Sequence, residues 1–190
     1  MAVAYRSVAT TTLASRTNTT ITKPSGAVDN DILIAAIHLE SDLTITPPSG
    51  WTLITIVDET TVDMDYYIYW KRASSEGADY TWSHSAAWSA GAIVAISGAI
   101  TSGDPQDATV GTDNDDGAIT TVNIPSITTA TDGSLALVFT TEYNTAITAT
   151  TPTGWDERAD ADGWHVWTKT QVTAGATGAT TSTFSSASYK

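Results

Sequence analysis

The sequence contains no cysteine, few basic residues and no long apolar run. Without cysteine there is no disulfide scaffold, no zinc–thiolate site and no cysteine nucleophile. A membrane-spanning helix needs about 20 consecutive apolar residues, and no segment approaches that length. Residues 1–6 contain one basic residue and no apolar segment, which predicts no secretory signal.

Basic residues are scarce, because 8 Lys and Arg stand against 21 Asp and Glu, a formal net charge of −13. This negative charge repels phosphate backbones and anionic lipid surfaces, so we expect no nucleic acid and no membrane as partners. Only 15% of the residues are charged, so Thr, Ser and Ala must cover much of the surface. We therefore expect partners to be held mainly by uncharged groups.

The pattern of apolar residues predicts an all-β fold. No window shows a sustained helical period, and strand-like segments recur about every 8–14 residues. We predict about eleven to thirteen strands in a jelly-roll-like β-sandwich or barrel, with the sandwich preferred. A length of 190 residues favours one domain, residues 1–190, built from two halves at about 1–105 and 106–190.

The pattern of the segment from Asn30 to Ser83 recurs later in the sequence. Aliphatic strands follow Asp31 and Asp132, and each is followed by a Pro-x-Gly-Trp turn and an aromatic strand that ends near a lysine. The equivalent positions lie 98 to 104 residues apart and pair as Glu40 with Glu142, Trp51 with Trp155, Lys71 with Lys169, and Trp82 with Phe184. The spacing predicts that residues 31–83 and 132–185 superpose strand for strand.

Single elements are predicted from turn residues and apolar runs. One or two strands are expected, at residues 4–10 and 17–22, and a buried strand at 32–39. Residues 84–89 are interpreted as a loop. The polar, acidic stretch 106–117 is predicted to link the two halves.

We predict no catalytic residues. His38, His84 and His165 are each interpreted as hydrogen-bonded structural residues on or beside strands. Glu40 and Glu142 could form a paired-acid site if a pseudo-twofold brought them together. The preferred interpretation places both at strand ends, facing solvent.

We also predict no metal and no cofactor. Two acidic groups supply the hard oxygen ligands that suit Ca²⁺, but neither follows the EF-hand spacing. The preferred interpretation for both is a solvated acidic loop. The first group is Asp113, Asp115 and Asp116, and the second is Asp156, Glu157, Asp160 and Asp162.

Trp88 is the one candidate for ligand binding. The chain has seven Trp and seven Tyr but only two Phe, and most of these aromatics are expected in the core. Trp88 lies in a Ser- and Ala-rich segment beside His84, which favours exposure. An exposed tryptophan could anchor a protein interface or stack on a sugar ring, and a core position is the third alternative.

Four motifs resemble β-sandwich modules of bacteriophage structural proteins and some bacterial surface proteins. They are the aliphatic strand after Asn30-Asp31, the Pro-Ser-Gly-Trp turn that ends at Trp51, the Tyr-Trp-Lys strand that ends at Lys71, and the Tyr-Thr-Trp strand that ends at Trp82. Asn30 stands where that family usually has Gly. The resemblance covers roughly residues 25–105.

The resemblance implies a non-enzymatic virion protein on the surface of a phage particle. We expect a capsid decoration (cement) protein, forming a homo-oligomer and bound to capsid or tail proteins. The alternative is a carbohydrate-binding or receptor-binding module of a tail or head fibre. Residues 2–10 and 180–190 are interpreted as edge strands, where strand addition to a neighbour supplies main-chain hydrogen bonds.

Overall fold

The structure is a computed structural model and describes residues 2–59, 64–113, 118–142 and 146–188. The all-β prediction is confirmed, because these residues form strands and no helix. The antiparallel sheets are consistent with a β-sandwich. The described strands are β1 Ala4–Thr22, β2 Ile32–Glu40, β3 Thr52–Glu59, β4 Met64–Arg72, β5 Asp79–Ser97, β6 Ile119–Ile124, β7 Thr128–Thr129, β8 Ser134–Thr141, β9 Asp156–Ala161, β10 Trp164–Gln171, β11 Gly175–Ala176 and β12 Thr180–Ser188.

The chain divides into two compact units. The first unit is Arg6–Ile96, and the second unit is Ser97–Lys190 together with Met1–Tyr5. Our boundary between halves, at about residue 105, therefore falls inside the second unit. The prediction that the whole chain acts as a single domain stays a prediction.

The first unit is organised around a five-stranded sheet in the order β1-β5-β2-β4-β3. Strand β2 lies at its centre and pairs antiparallel with both β4 and β5. Its run of aliphatic residues suits this place, because almost every side chain from Ile32 to Leu39 is buried. The buried strand predicted at residues 32–39 is confirmed.

The core of the first unit lies on one face of this sheet. Leu33, Ile37 and Ile93 contribute from the sheet, and they pack in one cluster with Trp51 and Trp82. The first half of β5 forms an isolated bridge from Ser83 to Thr46, while its second half pairs with β2.

The second unit contains a three-stranded sheet, β8-β10-β9, and two two-stranded ribbons, β12-β6 and β11-β7. Trp167 on β10 and Trp155 pack with Ala136 and Ile124 in one cluster. Phe184 on β12 belongs to a neighbouring cluster. These two clusters give the second unit a core of its own.

The same turn precedes β3 in the first unit and β9 in the second. In the first, the N–H of Trp51 donates to the carbonyl of Pro48, and in the second, Trp155 donates to Pro152. The glycine before each tryptophan has a positive φ, 85° at Gly50 and 82° at Gly154, which a residue without Cβ adopts most easily. The strand orders β2-β4-β3 and β8-β10-β9 also correspond. Superposition of the whole repeat stays a prediction.

The segments at residues 4–10 and 17–22, predicted as one or two strands, form one continuous strand, β1, which lies next to β5. One element prediction was wrong, because residues 84–89, expected as a loop, lie within β5. The alternation of buried and exposed side chains shifts by one position near Ser85, so this segment lacks the strict alternation that indicates a strand in a sequence.

Candidate functional site

Trp88 lies on β5 and is directly opposite Glu40 of β2. The expected exposure is confirmed, since the Trp88 side chain is 49% exposed. Ala90, two residues on, faces the same side of the sheet and pairs with His38, which in turn pairs with Tyr66. Trp88 therefore lies beside the end of β2, on the face of the sheet that carries His38, Tyr66 and Glu40.

His38 is a neutral, buried part of that face. Its ring stacks on Tyr66, with centroids 5.1 Å apart and planes 21° from parallel. Burial lowers the pKa of His38 to about 4, and neither ring nitrogen has a hydrogen-bond partner among the described residues. The interpretation of His38 as a hydrogen-bonded residue was wrong. A neutral, enclosed imidazole cannot serve as a general acid near neutral pH.

His165 is held by carboxylates in the core of the second unit. Its Nδ1 lies 3.0 Å from Oδ1 of Asp160, and its Nε2 lies 3.9 Å from Oε1 of Glu142. The ring stacks over Trp167 and lies against Phe184. Burial lowers the pKa of His165, and the charge of Asp160 opposes that shift. The ring is therefore enclosed in this core with a carboxylate near each nitrogen, but neither nitrogen forms a hydrogen bond among the described residues, so its interpretation as hydrogen-bonded was wrong.

Glu142 does not face solvent as expected. Its N–H donates to the carbonyl of Gly163, which extends the β8–β10 ladder by one step and directs the side chain inward, beside His165. Glu40, the repeat-equivalent residue, lies half-buried at the end of β2. The two carboxylates belong to different units, and a paired-acid site stays an untested alternative.

His84 joins the two longest strands of the first unit. Its Nε2 lies 3.1 Å from the Thr19 hydroxyl, which also hydrogen-bonds to Ser89 at 2.7 Å. Its Nδ1 lies 2.7 Å from the carbonyl of Ser85, so this nitrogen is the donor. The arrangement confirms the structural interpretation of His84, and it links β1 to β5.

Three carboxylates that the sequence analysis missed converge at one end of the first unit. Asp42, Asp58 and Asp65 each offer an oxygen within 4.8 Å of the others. The pKa of Asp65 is raised, mainly by burial and further by the charges of Asp58 and Asp42, while the Tyr67 hydroxyl opposes the shift. Oxygen ligands of this kind suit a hard cation such as Ca²⁺. Asp58 and Asp65 pair in the β3–β4 hairpin, whereas Asp42 comes from a separate segment.

The predicted acidic groups are used within the fold where the structure describes them. Asp113 accepts a hydrogen bond from the N–H of Asn123, while Asp115 and Asp116 lie outside the described residues. In the second group each carboxylate has its own contact: Asp156 pairs with Arg158, Glu157 accepts from Thr151, and Asp160 faces His165. Asp162 lies in the turn before β10 with a positive φ of 58°.

Strand β1 ends the sheet order and leaves one edge without a described strand partner. Arg16 covers part of that strand with its own guanidinium, donating to the carbonyls of Thr12 and Ala14 at 2.6 and 3.3 Å. A charged side chain that occupies edge carbonyls blocks strand pairing there. The stretch at residues 4–10 lies outside this cover.

Comparisons of the chain with models of protein families, with curated proteins and with solved structures each find no match. No helix that could span a membrane occurs in the described part of the chain.

Proposed function

We propose that the protein is a structural component of a bacteriophage particle, most specifically a decoration protein on the capsid surface. The proposal rests on the motifs that end at Trp51, Lys71 and Trp82, which resemble modules of phage structural proteins. The observation that carries the mode of attachment is the terminal place of β1 in the sheet order.

The proposed attachment is strand addition at residues 4–10. Their side chains are exposed or half-exposed, and from residue 7 to residue 10 none is charged. Main-chain hydrogen bonds along such an edge give affinity that does not depend on charge. Arg16 restricts the pairing to this first stretch by covering the carbonyls of Thr12 and Ala14.

The direct test is negative-stain imaging of purified particles labelled with an antibody against this chain, followed by co-sedimentation. Label on the capsid shell supports a decoration protein, and label on the tail assigns the chain to a fibre. Absence of label from intact particles would refute the virion role.

Co-sedimentation then tests the edge. Deletion of residues 1–10 is expected to weaken binding, whereas neutralising Asp113, Asp115 and Asp116 is the control and leaves it unchanged. Because the deletion also removes the partner of Asp31, a milder variant is needed. Val8→Pro removes one backbone donor on the side of the strand that Thr12 and Ala14 share. A stronger defect from the loop variant would show that the interface is misplaced.

Trp88 supports a second candidate function, a carbohydrate-binding module. A half-exposed indole beside a carboxylate can stack on a sugar ring while the carboxylate accepts hydroxyl hydrogen bonds. A glycan array would decide it. Binding by the wild type that disappears in Trp88→Ala favours this function, and no binding by either protein removes it.

A further inference from the structure

Strand β3 forms the other end of the five-stranded sheet, and its sequence is unusual for a sheet edge. Residues 52–57 read Thr-Leu-Ile-Thr-Ile-Val, with no charge, no proline and no glycine. Leu53 and Ile56 are 45% and 46% exposed. Soluble proteins normally protect edges with lysine, proline or a covering segment. An aliphatic edge of this kind is suited to being covered by a partner.

A bulge places both exposed side chains on one face. Leu53 pairs with Tyr69 and Ile56 with Tyr67, and the register shifts between Leu53 and Thr55. Without the shift, positions three apart would point to opposite faces. Tyr67 and Tyr69 are buried in the core, so the two aliphatic side chains extend that core to the edge of the sheet.

The charges at the two ends of the β3–β4 hairpin differ in sign. Asp58 and Asp65 pair at the turn end, where Asp42 joins them. Lys71 and Arg72 lie at the opposite end of β4, beyond the pair of Thr52 with Trp70. A parallel partner strand would bring like charges together, whereas an antiparallel copy places acids opposite bases.

We propose that two copies of this chain associate through β3, pairing antiparallel about a twofold axis to form one continuous sheet. The axis lies between Ile54 and Thr55, so Leu53 of each copy faces Ile56 of the other. The contact is isologous and closed, which favours a dimer over a filament.

The pairing offers the aliphatic edge an apolar cover on both sides of the axis. It also gives the outward backbone groups of β3 hydrogen-bond partners. The ammonium group of Lys71 is already paired with the carboxylate of Glu76 at 2.8 Å, so it adds little attraction to a second copy. The charges therefore favour the antiparallel orientation of the two copies, and the apolar contact provides the binding free energy. The alternative of β1 docking on β3 of a second copy is disfavoured, because it is a heterologous contact that leaves further edges open to growth.

The inference deepens the homo-oligomer expected under the proposed function, but it uses a different strand from the one proposed to meet the particle. A dimer that forms without particle binding would overturn the virion role and support this inference. Particle binding by a protein that stays monomeric would support the virion role and overturn this inference.

Sedimentation velocity of the full chain over a concentration series tests the association. The wild type is expected to dimerise, and Ile56→Lys is expected to raise the dissociation constant by about tenfold or more, because it brings an unpaired charge into the contact. Val28→Lys is the matched control, since Val28 is an exposed aliphatic residue of the same unit (55%) away from β3. A monomeric wild type, or equal effects of the two variants, would overturn the proposal.

Disulfide trapping tests the register, and the absence of native cysteine makes it clean. The double variant Leu53→Cys and Ile56→Cys is expected to oxidise to a covalent dimer on a non-reducing gel. Leu53→Cys alone is the control, because its two copies would lie beyond the roughly 7 Å Cα separation that a disulfide allows. The register would be refuted if the single variant cross-linked as fast as the double variant, or if neither variant cross-linked.

Discussion

The guanidinium of Arg6 binds the carboxylate of Asp31 through two nitrogens: Nε lies 2.6 Å from Oδ2, and Nη2 lies 3.0 Å from Oδ1. Asp31 is buried in the turn before β2, and it also accepts a hydrogen bond from the N–H of Val28. Arg6 lies on β1. The pair thus fastens an edge strand to the entrance of the central strand, in fork geometry that lysine cannot reproduce.

We expect Arg6→Met to lower the free energy of unfolding by about 2 kcal/mol, because it leaves a buried carboxylate with fewer donors. Asp31→Asn removes the charge of the carboxylate. The double variant Arg6→Met and Asp31→Asn should lose less stability than the sum of the losses in the two single variants. A double-mutant cycle by urea unfolding measures this coupling. Additive effects would show that the two side chains act independently.

A second prediction concerns acid stability. The pKa of His38 is lowered from 6.5 to about 4, so the folded state binds this proton less readily than the unfolded chain. Stability is therefore lost as the pH falls from 6.5 toward about 4, by up to about 3 kcal/mol from this group. His38→Phe keeps a ring beside Tyr66 and should flatten this loss.

Urea unfolding at about pH 7 and about pH 4.5 would measure the effect of His38→Phe against the wild type. At neutral pH the variant should be no less stable, because it removes two unpartnered buried nitrogens. An unchanged pH dependence would contradict the assignment of acid sensitivity to His38.

A third prediction runs in the opposite direction along the pH scale. The raised pKa of Asp65 means that the folded protein binds this proton more readily than the unfolded chain. This group's contribution to stability is present below the unfolded pKa and is lost as the pH rises through the folded value. Asp65→Asn should therefore raise the melting temperature at neutral pH and have little effect near pH ~3. A lower melting temperature at neutral pH would show that the carboxylate is needed, for example by a cation.

Charge leads to a fourth prediction. With a net charge of −13, the protein should not retard duplex DNA in a gel at low ionic strength, where electrostatic binding is strongest. The proposed attachment should also survive about 1 M salt, where exposed charges are screened within about 3 Å. A gel shift, or release of the protein from particles at moderate salt, would contradict the assignment of uncharged contacts.

The sequence predicted those features of the fold that depend on only a few neighbouring residues. The aliphatic run after Asp31 and the Pro-x-Gly-Trp turns at Trp51 and Trp155 were recognisable, because burial and turn geometry act over a few residues. The exposure of Trp88 also followed from its small polar neighbours, although the segment is strand rather than loop.

Features that depend on distant partners were not predictable. The middle of β1 has little apolar character, and its strand conformation is set by pairing with β5, about 70 residues away. Asp42, Asp58 and Asp65 come from three segments that only the folded sheet brings together. The inward turn of Glu142 depends on one backbone hydrogen bond to Gly163.

The repeat gives a fifth prediction. Residues 31–83 should superpose on residues 132–185 in a crystal structure, with Trp51 on Trp155, since both tryptophans are buried after equivalent turns. Exchanging the two turns, residues 48–51 and 152–155, should preserve the fold as judged by circular dichroism. Tryptophans on unrelated strands would end the repeat hypothesis.

The pairing of β1 with β5 also has a kinetic consequence. The hydrogen bond between Thr19 and Ser89 closes a loop of 70 residues, and β2, β3 and β4 all lie within that loop. Closing this loop lowers the conformational entropy of the chain, and that loss opposes folding until the strands have paired. During synthesis, β1 must therefore wait, without its partner strand β5, until about 70 further residues have been made.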